Sequence, residues 1–148
     1  MWCFSYLEVI TKCATFPERY PVEQGAPGGI TRCTSNGDPH LMTFDGRRYD
    51  NYRIGDWVMV KSDRRDFSVH ARTHHCWRVA CNCGVVVKEG KDVISVNYCG
   101  NGRLGNRHNP YVGFMSNKEP AHGTGLERSG NTYRVSLIYD NIRPIKLN

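Results

Sequence analysis

The sequence predicts an all-β protein, an antiparallel β-sandwich with little helix, and three features of its 148 residues carry that expectation. Short apolar runs alternate with polar residues at a period of two, which lines one face of a strand. Two pairs of runs flank glycine-containing turns, as β-hairpins do. No stretch of twelve residues sustains the helical 3.6 period, so sheets packed face to face are the expected architecture.

Residues 1–32 read as a lead-in or linker, in which Cys3 and Cys13 precede or border a Pro/Gly-rich stretch from Pro17 to Gly29 that discourages regular structure. An antiparallel β domain begins by about Asp56 or slightly earlier. Trp57-Val-Met-Val60 is apolar at every position, as expected of a central strand covered on both faces. In Asp66 to Arg72, Phe67, Val69 and Ala71 fall on one face and Ser68, His70 and Arg72 on the other. Gly84 to Tyr98 reads as a hairpin about Glu89-Gly90, and Asn131 to Tyr139 as the second strand of a hairpin that turns at Ser129-Gly130. Tyr133, Val135, Leu137 and Tyr139 share a face of that strand. Trp57, Phe67, Val69, Val86, Ile94, Val135 and Leu137 form the predicted core.

Hydrophobic residues at 39% and charged residues at 23% fit one ordered globular core and not a disordered chain. The formal net charge of +6 favours acidic partners, heparin-like polysaccharide and acidic protein surfaces among them. Its bases (Arg47, Arg48, Arg53, Arg64, Arg65, Arg72, Arg78, Arg103 and Arg107) are interspersed with acids, as on a solvated mixed surface. Nucleic-acid binding would rest on charge alone, without a recognition helix, zinc finger or RNP-like aromatic strand. No nucleophile elbow, Walker loop or His-Glu-x-x-His motif is present, so no enzyme is expected. Seven cysteines point to an oxidising, extracellular compartment, and an odd count leaves at least one without an internal partner. The amino terminus lacks signal-peptide character, and no apolar run approaches a membrane span. The sequence therefore reads as a segment of a longer secreted or cell-surface chain.

His74-His75-Cys76, Cys81 and Cys83 offer imidazole and thiolate, the ligand types that suit zinc or copper, but no second CxxC pair completes a structural zinc site. In an oxidising compartment the competing arrangement is a disulfide from Cys76 to Cys81 or Cys83, with the other paired to Cys99. Ahead of this cluster, Gly37 permits a tight turn, Pro39 stiffens the chain after Asp38, and Gly46 frees the backbone beside Asp45. His40 can bond a loop carbonyl, while Phe44 and Tyr49 anchor the segment on the sheet.

Residues Cys33 to Asp50 resemble the opening signature of von Willebrand factor type D domains: a cysteine, Gly37-Asp38-Pro39-His40, Thr43-Phe44-Asp45-Gly46, then the aromatic Tyr49. The likeness continues through Gly55 to Val60, the paired cysteines and the Gly125-Leu126-Glu127 hairpin, and so covers 33–148. The Cys76 to Cys83 cluster with Gly84-Val-Val-Val looks most like the type D segment of multidomain proteins that also carry EGF-like modules. Family members usually continue into a cysteine-rich stretch and an acidic loop, so the resemblance implies that 33–148 lacks its C-terminal portion. It implies too that Cys33, whose partner would lie in that stretch, is unpaired here.

The function implied is that of a non-enzymatic interaction and assembly module, adhesive, matrix-associated or receptor-binding, with extracellular proteins or acidic polysaccharide as partners beside the flanking domains of its parent. Calcium is the one cofactor suggested, with Asp45 at the position where family members often contribute a carboxylate. An alternative implied role is self-cleavage of the acid-labile Asp38-Pro39 bond assisted by His40, and a further one is a heparin-binding basic surface.

Overall fold

The computed structural model describes residues 6–12, 30–44, 46–63, 66–76, 78–100, 110–115, 124–129, 132–136 and 145–147, and every helix-or-strand element within them is a strand. A seven-stranded antiparallel sheet contains β1 (Tyr6–Lys12), β2 (Ile30–Asn36), β3 (His40–Met42), β4 (Arg48–Asp50), β10 (Gly125–Ser129), β11 (Thr132–Ser136) and β12 (Ile145–Leu147). Its order is β10-β11-β12-β1-β2-β3-β4. The second sheet holds β5 (Gly55–Lys61), β6 (Phe67–Cys76), β7 (Val79–Glu89), β8 (Asp92–Asn97) and β9 (Tyr111–Phe114) in sequential order. Nearest neighbours in chain thus become nearest neighbours in space throughout this second sheet, the cheapest topology to close.

Alternation builds its inner face. Phe67, Val69 and Ala71 of β6 are buried, as are Val85 and Val87 of β7 and Ile94 and Val96 of β8. They join Cys33 of β2 and Tyr133 and Val135 of β11 in one apolar cluster, so the core lies between the two sheets. Hydrogen bonds cross the same interval: Asn82 donates its amide to Ser35 Oγ at 2.8 Å, and Tyr98 donates its hydroxyl to that of Tyr133 at 3.3 Å. Both satisfy polar groups that would be costly to bury alone.

A β-bulge makes the first of these contacts reachable. Arg72 pairs with Gly84 but Thr73 pairs with Asn82, so Cys83 is the extra residue on β7. The parity of β7 reverses there, and Ala80 and Asn82 turn to the same side as Val85 and Val87. Gly84 sits where a Cβ would stand 3.1 Å from Cys99 Sγ and 3.4 Å from Arg72 Cβ, which explains a residue without a side chain at this point.

Several sequence expectations need correction. Trp57 to Val60 is not a central strand: β5 is an edge of its sheet, and Val58 is 58% exposed. An all-apolar run does not reveal its place in a sheet. Trp57 is half-buried and not a core residue, its indole N–H donating to Thr73 Oγ1 at 3.0 Å. Val86, also expected inside, is half-buried on the outer face, because it alternates with the inward Val85 and Val87. The first hairpin turns at Gly90-Lys91 and not Glu89-Gly90, since Glu89 pairs with Asp92. Gly90 takes φ +56°, the left-handed conformation that glycine adopts without strain. Within the stretch read as a lead-in, Tyr6–Lys12 forms an interior strand between β2 and β12. Leu137 and Tyr139 lie outside the described residues, as do Gly130 and Asn131 of the second hairpin's turn.

Candidate functional site

The hairpin of β2 and β3 displays the Asp-Pro bond. Asn36 pairs with His40, leaving Gly37, Asp38 and Pro39 as a three-residue turn in which Gly37 takes φ +56°. Pro39 is buried, and its carbonyl accepts the Asn51 N–H at 3.0 Å. That bond ties the turn to the chain leaving β4. Because β3 pairs with β4 in a register that sets His40 opposite Asp50, a carboxylate ten residues downstream reaches the histidine.

His40 thereby stands between two acids. Its Nδ1 lies 2.7 Å from Asp50 Oδ1 and its Nε2 3.1 Å from Asp38 Oδ1, while the side chain remains 55% exposed. Only the doubly protonated imidazolium donates to both at once. The hydrogen bond to Asp50, aided by the charges of Asp50 and Asp38, raises the His40 pKa above its ordinary value. Asp50 also accepts from the Tyr52 hydroxyl at 2.9 Å. Bonds from His40 and then Tyr52 hold the Asp50 carboxyl below its usual range, and the bond to Asp50 raises Tyr52. Neither Asp50 nor Tyr52 stood out in the sequence as a partner of His40. The signal that would have found them is the pairing of two three-residue strands, His40-Leu-Met and Arg48-Tyr-Asp, too short to declare themselves by alternation.

Four cysteines cluster at the five-stranded sheet, Cys76 on β6, Cys81 and Cys83 on β7 and Cys99 just past β8. Cys76 is bridged to Cys81 and Cys83 to Cys99, with Cα atoms 5.8 and 4.9 Å apart, separations that suit disulfides. In this arrangement none of the four keeps a thiolate for zinc or copper. Desolvation, followed by the charge of His75, lowers the His74 pKa. Cys33 is outside both bridges and 5% exposed, and burial pushes its thiol up to about 11. Such a thiol is inert near neutral pH. Cys3, Cys13 and Asp45 fall outside the described residues, and among the described residues no group of three or more His, Cys, Asp or Glu is placed to hold a metal ion.

The basic surface is divided. Arg72 makes a two-pronged pair with Asp56 at 2.5 and 2.6 Å, Lys88 pairs with Asp66, and the Arg128 guanidinium lies 5.5 Å from the Tyr133 ring centroid. Arg47, Arg48 and Arg53 are exposed, alternating with exposed Tyr49, Tyr52 and Ile54. Arg64, Arg65, Arg103 and Arg107 are outside the described residues.

The chain is 36% identical over 64 residues to SCO-spondin of Gallus gallus, an overlap of 42% of this chain, and 44% identical over 48 residues to the IgGFc-binding protein of Homo sapiens, an overlap of 29%. It spans about 1% of the length of each of these relatives. The family model of the von Willebrand factor type D domain matches residues 33–119, more than half of the chain, beginning at Cys33 and taking in the Asp38-Pro39-His40 turn and both disulfides. The chain belongs to the von Willebrand factor type D domain family.

Proposed function

We propose that this domain is a non-enzymatic interaction and assembly module of a larger secreted or cell-surface protein, presenting a surface to extracellular proteins. The observation that carries this reading is the pair of disulfides pinned across the five-stranded sheet, which requires an oxidising compartment and rigidifies the sheet without creating a catalytic constellation. Family membership supports it, and so do the exposed Tyr49 and Tyr52, aromatic side chains of the kind enriched at interfaces, with exposed Ile54 and Val58 beside them in sequence. The test is to direct the full chain through the secretory pathway, map its bridges without reduction, and measure binding to cell surfaces before and after removal of sulfated polysaccharide. Bridged chain that binds with polysaccharide removed, and loses binding with Tyr49, Tyr52 and Ile54 all replaced by Ala, supports the proposal. Binding abolished by polysaccharide removal would favour the heparin-binding reading instead, and secretion of unbridged chain would overturn the first.

A second reading, self-cleavage at Asp38-Pro39, is favoured by one specific contact: His40 Nε2 lies 3.1 Å from the Asp38 carboxylate. Asp-Pro bonds break readily because the aspartate carboxylate can attack its own carbonyl and the prolyl nitrogen is a basic leaving group. Intact mass after mild acid exposure tests it, a fragment beginning at Pro39 being the expected product.

A further inference from the structure

We propose that Asp50, braced by Tyr52, is a positioning residue for scission of the Asp38-Pro39 bond: it holds the His40 ring with Nε2 turned toward the Asp38 carboxylate, where a proton is needed for the departing prolyl nitrogen. The proposal rests on the self-cleavage reading above and assigns roles to two residues outside the Gly-Asp-Pro-His motif. Three placements carry it. Asp50 Oδ1 is 2.7 Å from His40 Nδ1, and the opposite ring nitrogen is 3.1 Å from Asp38 Oδ1. Tyr52 donates to the second Asp50 oxygen at 2.9 Å, so neither carboxylate oxygen of Asp50 is left to rotate freely. The Asn51 N–H binds the Pro39 carbonyl at 3.0 Å, so the strand end that supplies Asp50 also fixes the far side of the scissile turn. A histidine ring oriented through one nitrogen by a carboxylate, with the other nitrogen facing the reacting group, is a general means of setting tautomer and direction.

The step balances without an outside reagent other than water. An Asp38 carboxylate oxygen attacks the Asp38 carbonyl carbon, the bond from that carbon to the Pro39 nitrogen breaks, and the nitrogen leaves with the proton of His40 Nε2. A cyclic anhydride remains on Asp38. Water adds to it, restoring two carboxyl groups and returning a proton to the imidazole. The net change is hydrolysis of one peptide bond. Among the described residues, the charged or titratable groups facing His40 are Asp38 from the turn and Asp50 from β4, with Tyr52 acting through Asp50; the residue opposite on β2, Asn36, does not titrate. Protonated His40 is the competent form, and Asp50 extends its range toward neutral pH, in keeping with the raised His40 pKa.

The experiment uses the full 148-residue chain with its disulfides intact, incubated from mildly acid to neutral pH, with scission read by intact mass and by the new amino terminus at Pro39. Asp50→Asn is expected to slow scission by about 10- to 100-fold, the scale on which a metal-bound histidine suffers when it loses the partner that orients its ring. The neutral-side limb of its pH profile moves to lower pH, because an imidazole without Asp50 loses its proton earlier. Asp50→Glu restores part of the rate, Tyr52→Phe causes a smaller loss in the same direction, and the His40 ring titrates at lower pH in Asp50→Asn by NMR. Parent chain that cleaves, with Asp50→Asn matching it in rate and pH profile, overturns the positioning role and leaves self-cleavage standing. Parent chain that never yields the Pro39 fragment overturns both. If Asp50→Asn does not fold, Tyr52→Phe and the Asp50→Glu profile decide: parent-like behaviour in both overturns the proposal.

Discussion

In the five-stranded sheet, β5 to β9 follow one another in space as they do in sequence, and both disulfides of the described residues lie within it; in the seven-stranded sheet, β1 pairs with β12 through Leu7 and Leu147, near the two ends of the sequence. The five-stranded sheet is assembled from strands adjacent in the chain, three of its four connections being short loops that close at small entropic cost. The seven-stranded sheet depends on a pairing that closes most of the chain, a non-local contact whose loop-closure entropy is lost before the contact contributes. Both feed one core, but β6, β7 and β8 supply its aliphatic bulk, while the larger sheet adds Tyr133, Val135, the Cys33 thiol and the polar Thr34 and Ser35. The locally built sheet therefore serves as the platform, and the larger sheet is the layer whose docking it organises.

The strongest way to break this contrast is to weaken the platform's inner face. Ile94 is 2% exposed, and Ile94→Ala is expected to cost about 4 kcal/mol in urea unfolding, with loss of cooperativity across both sheets. A cost below about 1 kcal/mol would place Ile94 outside the shared core.

Next in size are the disulfides, which constrain the unfolded chain in proportion to the logarithm of the loop they close. Their sequence separations of 16 and 5 residues lead to about 3 kcal/mol for losing Cys83 to Cys99 and about 2 kcal/mol for losing Cys76 to Cys81. Thermal unfolding of the paired Cys→Ser variants checks that order. A reversed order would show that native packing around Cys76, and not loop length, dominates.

The Asn82–Ser35 bond between the sheets comes third. Asn82→Ala leaves the buried Ser35 hydroxyl without that partner and should cost about 1–3 kcal/mol, whereas the double variant with Ser35→Ala should recover part of the loss. A double-mutant cycle with no coupling would remove Asn82 as the link between the layers.

The smallest effect belongs to the exposed pair of Asp56 and Arg72, whose hydrogen bonds hold the Asp56 carboxyl below its ordinary value. A carboxyl depressed in the folded state contributes stability that is present above its unfolded pKa and is lost as pH falls through the folded value. Solvent screening at two side chains more than half exposed limits the gain to less than about 1 kcal/mol at neutral pH. Asp56→Asn should therefore lower stability slightly at neutral and alkaline pH and leave it unchanged in acid, below the folded pKa, so that the acid limb of the profile flattens; an equal loss that persists in acid would mean that packing, not charge, is being measured.

Much of the platform was legible beforehand. Phe67, Val69 and Ala71 alternate with Ser68, His70 and Arg72, and the buried and solvent-facing positions of β6 follow that alternation. The hairpin from Gly84 to Tyr98 was readable from two apolar runs about a glycine, with its turn displaced by one residue. The Trp57 run misled, because an apolar strand on an edge and one in the middle of a sheet have the same local sequence. Of the candidate site, Asp38, Pro39 and His40 were visible as a motif. Asp50 and Tyr52 were not, since their approach to His40 is a matter of register between two very short strands.

By itself the sequence determined the strand periodicities, the pairing of the two hairpins, the cysteine-rich character and the family signature from Cys33 to Asp50, all properties of residues near one another in the chain. Tertiary structure alone decided that β5 is an edge, that Tyr6–Lys12 lies inside the larger sheet, that the bulge at Cys83 turns Asn82 toward Ser35, and that His40 sits between two carboxylates. Local pattern sets which face of a strand is apolar, but it carries no information about which strand lies alongside. That choice comes from the closure of long loops and the packing of two sheets against each other, where one register out of several buries the apolar faces and leaves the fewest polar groups unmatched.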